Sequence, residues 1–393
     1  MRRLALRALV RVKRHELCKA AGKHQYGVGL EGGASLLVKN LEAQAEVRPG
    51  AVFLKVDLRS AFQRLSRTKA FEAMATAEPA VAEALKRWYT GSCKHLWHNG
   101  QGRYEEVESH TGFDQGCPLA AVAFVLGQKG ALEDYLLQLQ QLDPDAKMYS
   151  YLDDTYLVVD ARYATLALAG FEKALEPLEM ALNHSKTVAW SPSGRNALPT
   201  ELQAKYKPYL EVLGSHLRAP GDHDEAPHLL GQDSGALAEA TGRLQKLWQP
   251  LQNLLKAGLK RQAAGALLRT YAGAASQHAL QLSLVPQAEA ETYDATLRSA
   301  WETLADRKLD DKATLRLGLP AKLGGAGVQW AVDRCHAAFW ASWTMLANDV
   351  KSDVGCSTLQ DLLEKLPRTA RLLTTAREGL RRQGSPAAEG ASL

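Results

Sequence analysis

The chain has 393 residues, which is enough for two or three domains of ordinary size. Hydrophobic residues make up 46% and charged residues 23%, a balance typical of globular proteins and unlike that of disordered or fibrous ones. No run approaches about 18 consecutive apolar residues, so a membrane-spanning helix is excluded. The five cysteines lie far apart without a CxxC pair, which disfavours a disulfide framework or a cysteine-rich zinc module and favours a reducing, intracellular environment.

Basic residues concentrate in three parts of the chain, although the formal net charge is only +5. Residues 1–24 carry eight lysines and arginines against one acid, and further clusters lie at 236–275 and 368–382. Such clusters are compatible with a partner that has a phosphate backbone. Charge alone equally allows a solvated helix face at each cluster, so both interpretations stay open.

Strand-like and helix-like segments alternate in the first half of the chain. The apolar, strand-like runs span 51–58, 148–160, 186–190 and 209–217. The helix-like stretches between them include 61–89, 118–142 and 162–182. Alternation of this kind predicts an α+β domain.

The second half is helical in character. It begins after a segment rich in Pro, Gly and Asp at 219–235, which predicts a loop between two halves. From 236 onward the pattern predicts helices with breaks near Pro250, Pro286 and 318–328. The stretch from Gly384 to the end is rich in Gly, Ser and Ala, and we expect it to be disordered.

Two adjacent carboxylates, Asp153 and Asp154, interrupt an apolar segment. β-compatible runs flank them on both sides, which predicts a hairpin with the two acids at the centre of its turn. Asp-Asp is a poor choice for a tight turn, and two like charges side by side cost free energy unless a cation lies nearby. A functional metal site and an ordinary acidic surface turn are the two interpretations.

A third carboxylate, Asp57, follows the buried-type strand 52–56. A charge at the end of a buried strand is costly unless it is paired or binds a metal; the alternative role of Asp57 is to cap the following helix. Two divalent cations about 4 Å apart require carboxylates from separate backbone elements, and each Mg²⁺ takes only one or two protein carboxylates. Asp57, Asp153 and Asp154 meet this requirement if strand and hairpin are neighbours in one sheet.

Four short motifs follow one another in a fixed order along the first half. They are Asp57-x4-Phe62, Gln115-Gly116-Cys117-Pro118-Leu119, Tyr151-Leu152-Asp153-Asp154 and Leu182-Asn183-x-x-Lys186-Thr187. The series resembles the palm of a reverse transcriptase, and its QGCPL form resembles that of non-long-terminal-repeat (LINE-type) retrotransposons. The segment His24-Gln25-Tyr26-Gly27-Val28 is similar to the one upstream of the first catalytic Asp in such elements, and Val212-Leu213-Gly214 resembles the primer-grip strand.

The resemblance implies an α+β right-hand polymerase, in which an antiparallel palm sheet with packed helices is followed by an all-α thumb and C-terminal extension. The implied divisions are partial fingers at 1–50, a palm at 51–217, a linker at 218–235, the thumb and extension at 236–383, and a disordered tail at 384–393. The segment ahead of Asp57 is short for the family, so we expect N-terminally truncated fingers. An endonuclease would have to come from another domain or chain.

The resemblance also implies a role for each motif residue. Asp57, Asp153 and Asp154 would bind two Mg²⁺ ions, for which Mn²⁺ can substitute. Lys186 would contact the triphosphate and protonate the leaving group. Without the resemblance, a lone lysine after a strand would be interpreted as a solvated charge. Phe62 would exclude a ribose 2′-hydroxyl; its alternative is a core position on an amphipathic helix.

Further residues would contact the substrates. Gln115 and Gly116 would lie beside the template base and incoming nucleotide; the alternative there is an ordinary helix start, to which Pro118 is suited. The residues expected at the template–primer are Leu213, Gly214, Arg243, Lys246, Lys256 and Lys260.

The implied function is that of an RNA-directed DNA polymerase that adds deoxynucleotides to a primer 3′ end. Its partners would be an RNA template, a DNA primer and deoxynucleoside triphosphates, with no membrane. The family leads us to expect a nuclear location. One alternative is a catalytically inactive, truncated relic that only binds nucleic acid; another is a different palm polymerase, such as an RNA-dependent RNA polymerase or a maturase-like intron protein, against which Phe62 and the QGCPL form argue.

Overall fold

The computed structural model describes residues 2–90, 93–218 and 234–384. Contacts divide the chain into two compact units, one formed by Met1–Leu37 and Arg48–Leu210, the other by Val38–Val47 and Glu211–Leu393. Most of the expected linker and nearly all of the expected disordered tail lie outside the described residues.

The first unit is a mixed α/β structure. Its helices are α1 (Arg2–Val12), α2 (Arg14–Ala21), the start of α3 (Gly33–Val47), α4 (Ala61–Arg64), α5 (Arg67–Ala77), α6 (Pro79–Tyr89), α7 (Ala120–Leu142) and α8 (Ala164–Leu175). Its strands are β1 (Ala51–Val56), β2 (Cys93–His98), β3 (Tyr104–Ser109), β4 (Lys147–Tyr151), β5 (Asp154–Asp160), β6 (Val188–Trp190) and the start of β7 (Tyr209–Val212). The α+β prediction is confirmed.

A four-stranded antiparallel sheet of order β4-β5-β1-β6 is the centre of this unit. β1 lies between β5 and β6, with Val56 opposite Thr155 and Phe53 opposite Trp190. Five of the six β1 residues are buried, because a central strand covered on both faces needs a nearly continuous apolar run. The sheet therefore makes β1 and the β4–β5 hairpin direct neighbours.

Helices cover the sheet and complete the core. Twelve of the 23 residues of α7 are buried, and Phe124 of α7 and Phe171 of α8 are fully enclosed. Each such side chain contributes about 1.5–3 kcal/mol through removal of its apolar surface from water.

Three helix-like stretches differ in extent from the prediction. The 61–89 stretch is divided into α4, α5 and α6, and α6 begins at Pro79, which lacks the N–H that a continuing helix would need. The 118–142 helix begins two residues late, because Pro118 lies in a turn closed by a hydrogen bond from the Ala120 N–H to the Cys117 carbonyl. α8 ends at Leu175 and is followed by a 3₁₀ turn that contains Pro177.

In its described residues, the second unit is helical apart from the end of β7 and from β8 (Ser215–Arg218). It contains the remainder of α3 and α9 (Ser234–Lys256), α10 (Arg261–Leu282), α11 (Gln287–Ala305), α12 (Asp311–Gly318), α13 (Ala331–Val354), α14 (Leu359–Lys365) and α15 (Pro367–Arg382). The predicted helical character is confirmed, as are the breaks at Pro286 and 318–328. The prediction of a helix break near Pro250 is wrong, since α9 continues through this proline. Among the described residues, no helix is long and apolar enough to cross a membrane.

Candidate active site

Three carboxylates lie where β1 meets the β4–β5 hairpin. Asp57 directly follows the last residue of β1, and extension of the β1–β5 register places it opposite Asp154. Tyr151 pairs with Asp154, so the two-residue turn is Leu152–Asp153 and Asp154 is the first residue of β5. The prediction that Asp153 and Asp154 form the centre of the turn is therefore wrong by one residue. Asp153 is exposed, whereas Asp57 and Asp154 are half-buried.

The turn contains a left-handed residue that is not glycine. Leu152 has a φ of +58°, a conformation that costs an L-residue roughly 1–2 kcal/mol. Its N–H donates to Gln25 Oε1 at 2.8 Å, and its carbonyl accepts from Gln128 Nε2 at 3.4 Å. Both polar backbone groups of the residue before Asp153 are thus hydrogen-bonded to side chains from outside the hairpin.

The segment around Gln25 runs beside β4. The Tyr26 N–H donates to the Ser150 carbonyl at 2.7 Å, and the Ser150 N–H donates to the His24 carbonyl at 2.9 Å. These bonds bring Gln25 to the hairpin, where its side chain is 7% exposed. The sequence assigned no role to Gln25 or Gln128; the signal available for Gln25 was its place in the segment that resembles the family.

The loop that carries Lys186 packs against the end of β1. The Asn183 N–H donates to the Asp57 carbonyl at 2.8 Å, and Leu58 pairs with Leu182 in an isolated bridge. A turn closed by the bond from the Lys186 N–H to the Asn183 carbonyl, 3.0 Å, leaves the Lys186 side chain exposed. Tertiary structure thus brings Asp57 and the Lys186 loop together.

Gln115 and Gly116 form an exposed turn rather than the start of α7. The Cys117 N–H donates to the Asp114 carbonyl at 3.0 Å, and Gly116 has a φ of +82°, which glycine adopts without the steric penalty of a side chain. A Cβ on Gly116 would lie 3.4 Å from Nη2 of Arg3, so a guanidinium of α1 lies beside this turn. The sequence assigned Arg3 only to a basic cluster.

Phe62 lies close to the same turn. Its carbonyl accepts a hydrogen bond of 2.8 Å from the Phe113 N–H. Its ring stacks on Phe124 of α7, with 4.4 Å between the ring centroids. Part of Phe62 stays exposed, so it is anchored on the core without being enclosed by it.

Arg67 and Tyr89 support the segment that leads to this turn. The Arg67 Nε donates to the Gly112 carbonyl at 2.7 Å, and its guanidinium lies over the Tyr89 ring. Burial raises the pKa of Tyr89, and the Tyr89 hydroxyl oxygen accepts from the Asp114 N–H at 3.1 Å. Sequence reasoning identified neither residue, because their burial depends on contacts between distant segments.

The carboxylates fit Mg²⁺ in chemical type. Among the residues that the structure describes, no three His, Cys, Asp or Glu side chains form a group that could hold a metal ion. Mg²⁺ prefers oxygen ligands, needs only one or two protein carboxylates and completes its shell with water and substrate phosphates. The donor set therefore suits a metal that is held jointly by protein and substrate.

The remaining predicted contact residues belong to the second unit. Leu213 and Gly214 form the turn between β7 and β8, with φ of +49° and +84°, so the strand-like run predicted at 209–217 is a hairpin. His278 Nε2 of α10 donates to the Leu213 carbonyl at 2.8 Å.

The basic residues predicted for the thumb lie on or next to helices. Arg243 pairs with Glu239 at 2.5 Å on α9. Lys246 and Lys256 are exposed on α9, and Lys260 is exposed just before α10.

A match to a protein-family model decides the family. Residues 4–226, more than half of the chain, match the model described as reverse transcriptase (RNA-dependent DNA polymerase). The chain belongs to the reverse transcriptase family. The order of its four motifs agrees with this membership.

Solved telomerase structures are similar to the chain at low identity. Apo telomerase from Candida tropicalis has 13% identity and a TM-score of 0.44, over 93% of this chain and 61% of that one. Telomerase from Candida albicans in complex with a TWJ fragment of telomeric RNA has 11% identity and a TM-score of 0.37, over 100% of this chain and 56% of that one. The chain thus spans little more than half of their length. No curated protein matches the chain in sequence.

Proposed function

We propose that this reverse transcriptase is an RNA-directed DNA polymerase of a LINE-type retrotransposon. It adds deoxynucleotides to the 3′ end of a DNA primer on an RNA template, in the nucleus. The observation that carries the proposal is the pairing of β1 with β5, which brings Asp57 to the hairpin of Asp153 and Asp154. The family match supports the reaction class, and the QGCPL form supports the LINE-type origin.

In this mechanism Asp57, Asp153 and Asp154 would hold two Mg²⁺ ions together with the substrate phosphates. The chemistry that bound Mg²⁺ supplies is a lowered pKa of the primer 3′-hydroxyl and stabilisation of charge on the departing pyrophosphate. Lys186 donates a proton to that leaving group, which requires its loop to stay beside Asp57. The hydrogen bond from the Asn183 N–H to the Asp57 carbonyl supports this arrangement.

Substrate selection involves the neighbouring elements. Phe62 blocks the ribose 2′-hydroxyl, while Gln115 and Gly116 position the incoming nucleotide, and Arg3 lies beside their turn as a cationic group. In the second unit, the Leu213–Gly214 turn positions the primer. Arg243, Lys246, Lys256 and Lys260 contact the phosphate backbone. The proposed divisions are fingers at 1–50, palm at 51–217 and thumb with its extension at 236–383.

Primer extension on poly-rA/oligo-dT tests the proposal. With Mg²⁺ or Mn²⁺, we expect the wild type to extend the primer, and Asp153→Asn to lose roughly a thousandfold or more because one metal ligand is weakened. Asp134→Asn, an exposed carboxylate of α7, is the matched control and should keep full activity. Undiminished extension by Asp153→Asn would contradict the mechanism.

A second candidate is a nucleic-acid-binding protein without catalysis. It is favoured by Lys246, Lys256 and Lys260, which are exposed on or next to helices of the second unit, because exposed lysines can bind a phosphate backbone without any metal ion. This candidate predicts binding of template–primer that weakens steeply with salt and no extension with either metal. Binding and extension measured on the same preparation separate the two functions.

A further inference from the structure

The residue before Asp153 has a backbone conformation that its side chain disfavours. Leu152 lies in the left-handed region with a φ of +58°, where glycine or asparagine is the usual residue of a tight hairpin turn. Such a conformation persists only when the surroundings hold it in place, and residues of this kind are concentrated at functional sites. Contacts from outside the hairpin must therefore maintain it.

Two buried amide side chains supply these contacts. Gln25 Oε1 accepts from the Leu152 N–H at 2.8 Å and from the Gly27 N–H at 2.9 Å, so one oxygen bonds two backbone donors. Gln128 Nε2 donates to the Leu152 carbonyl at 3.4 Å. Gln25 is 7% exposed and Gln128 is 2% exposed, and buried polar groups that lose a partner are costly to leave unsatisfied.

The approach of the Gln25 segment to the turn depends on glycine. A Cβ on Gly27 would lie 2.9 Å from Leu152 Cγ and 3.0 Å from the Leu152 backbone nitrogen. The first distance is short enough that the Leu152 side chain would have to shift, and the second is tight enough that the backbone of the turn would have to give by a few tenths of an ångström. Leu152 is thus the residue of the hairpin that both the segment 24–27 and α7 contact.

We propose that Gln25 and Gln128 are positioning residues of the polymerase. They bond both polar backbone groups of Leu152 and so hold it in the left-handed conformation of the turn that carries Asp153. This inference rests on the proposed catalytic role of Asp153. A hairpin that only had to reverse the chain could use a glycine at position 152 and would need neither buried amide.

Two substitutions of Gln25 separate positioning from packing. Gln25→Met removes the acceptor but keeps the length of the side chain, whereas Gln25→Glu keeps an oxygen that can accept from both N–H groups. Displacement of a reacting group by about 1 Å costs roughly a hundredfold in rate, so we expect kcat of Gln25→Met to fall by about that factor. Gln25→Glu should stay within about tenfold of wild type, and the affinity for template–primer should be unchanged in both.

A double substitution tests whether the conformation of Leu152 is the cause. Glycine adopts positive φ without a steric penalty, so Leu152→Gly in the Gln25→Met background should recover much of the lost kcat. If Gln25 mattered only for packing, removal of the Leu152 side chain would add to the defect. Additive losses in kcat would therefore overturn the proposal.

A readout independent of activity completes the test. Amide hydrogen exchange at Leu152 should be faster by about tenfold or more in Gln25→Met, because the amide loses its acceptor, and near the wild-type rate in Gln25→Glu. If the wild type extends no primer, the proposed function fails, and exchange at Leu152 still decides whether Gln25 holds the turn. Wild-type exchange together with wild-type kcat in Gln25→Met would overturn the inference while leaving the proposed function intact.

Discussion

The ring of Phe62 stacks on the ring of Phe124, with 4.4 Å between their centroids and 22° between their planes. Phe124 is fully buried in α7, whereas Phe62 keeps part of its surface exposed five residues after Asp57. The core position and the substrate-selecting position, which sequence reasoning treated as alternatives, are therefore compatible. A rigid, buried partner can hold the partly exposed Phe62 ring in one place, as the proposed substrate-selecting role requires.

We expect Phe62→Val to weaken discrimination against ribonucleotides. The smaller side chain leaves room for a 2′-hydroxyl, so the ratio of kcat/KM for deoxynucleotide over ribonucleotide should fall by roughly tenfold or more. Phe71→Val is the matched control, because Phe71 is also half-buried and packs against Phe113. An equal change in the ratio for both variants would show that general loss of packing, rather than the Phe62 ring, is responsible.

Gly112→Ala should destabilise the protein much more than Gly100→Ala. Both glycines have positive φ, +63° and +78°, so alanine costs roughly 1–2 kcal/mol at either position. Only at Gly112 would the new Cβ also collide with backbone, 2.3 Å from the Phe62 carbonyl oxygen, whereas no atom of the described residues lies within 4 Å at Gly100. This collision should add about 1–3 kcal/mol, measured by urea unfolding. Equal free energies of unfolding for the Gly112→Ala and Gly100→Ala variants would contradict the close approach of Gly112 to α4.

Buried Lys39 should make stability depend on pH under alkaline conditions. Burial lowers its pKa to about 8, although nearby Glu42 raises it; the ammonium lies over the rings of Phe339 and Trp343. Between about 8 and the ordinary value of 10.5, the unfolded chain binds a proton at Lys39 that the folded chain does not. The contribution of Lys39 to stability is therefore highest above 10.5, and it is lost as pH falls from there through about 8.

The wild type should therefore become more stable as pH rises from about 8 to about 10, by on the order of 1–3 kcal/mol. Lys39→Met should lack this rise, while Lys351→Met on α13 should keep it. Urea unfolding across this pH range measures the effect. A rise that persists in Lys39→Met would assign it to another group.

The exposed lysines of the second unit should set the salt dependence of nucleic-acid binding. In the combined variant Lys246→Gln, Lys256→Gln and Lys260→Gln, the slope of log affinity against log salt should become shallower by about two to three, roughly 0.9 for each lost phosphate contact with a duplex. Lys312→Gln on α12 is the control and should leave the slope unchanged. An unchanged slope in the combined variant would place the phosphate contacts elsewhere.

Local patterns in the sequence determined much of the architecture. The apolar run of β1, the β-compatible runs around Asp153 and Asp154 and the helical character after 236 depend on residues close together in the chain, and the structure confirms these elements. Errors arose where a boundary depended on the exact turn, as at Leu152–Asp153 and Leu213–Gly214, because both turns place leucine where propensity favours Asn or Gly. Pro250 shows the same limit, since it lies inside α9 although proline tends to end a helix.

By itself, the sequence determined which residue types carry the chemistry and the order of the motifs that mark the reverse transcriptase family. Only the tertiary structure decided that Asp57 faces the hairpin, that the Lys186 loop bonds the Asp57 carbonyl, and that Gln25 bonds Leu152 across 127 residues. Hydrogen bonds between distant segments form when the whole chain closes around its core, and no local periodicity records them. The candidate carboxylates could therefore be read from the sequence, whereas the distant side chains that bond the backbone beside them could not.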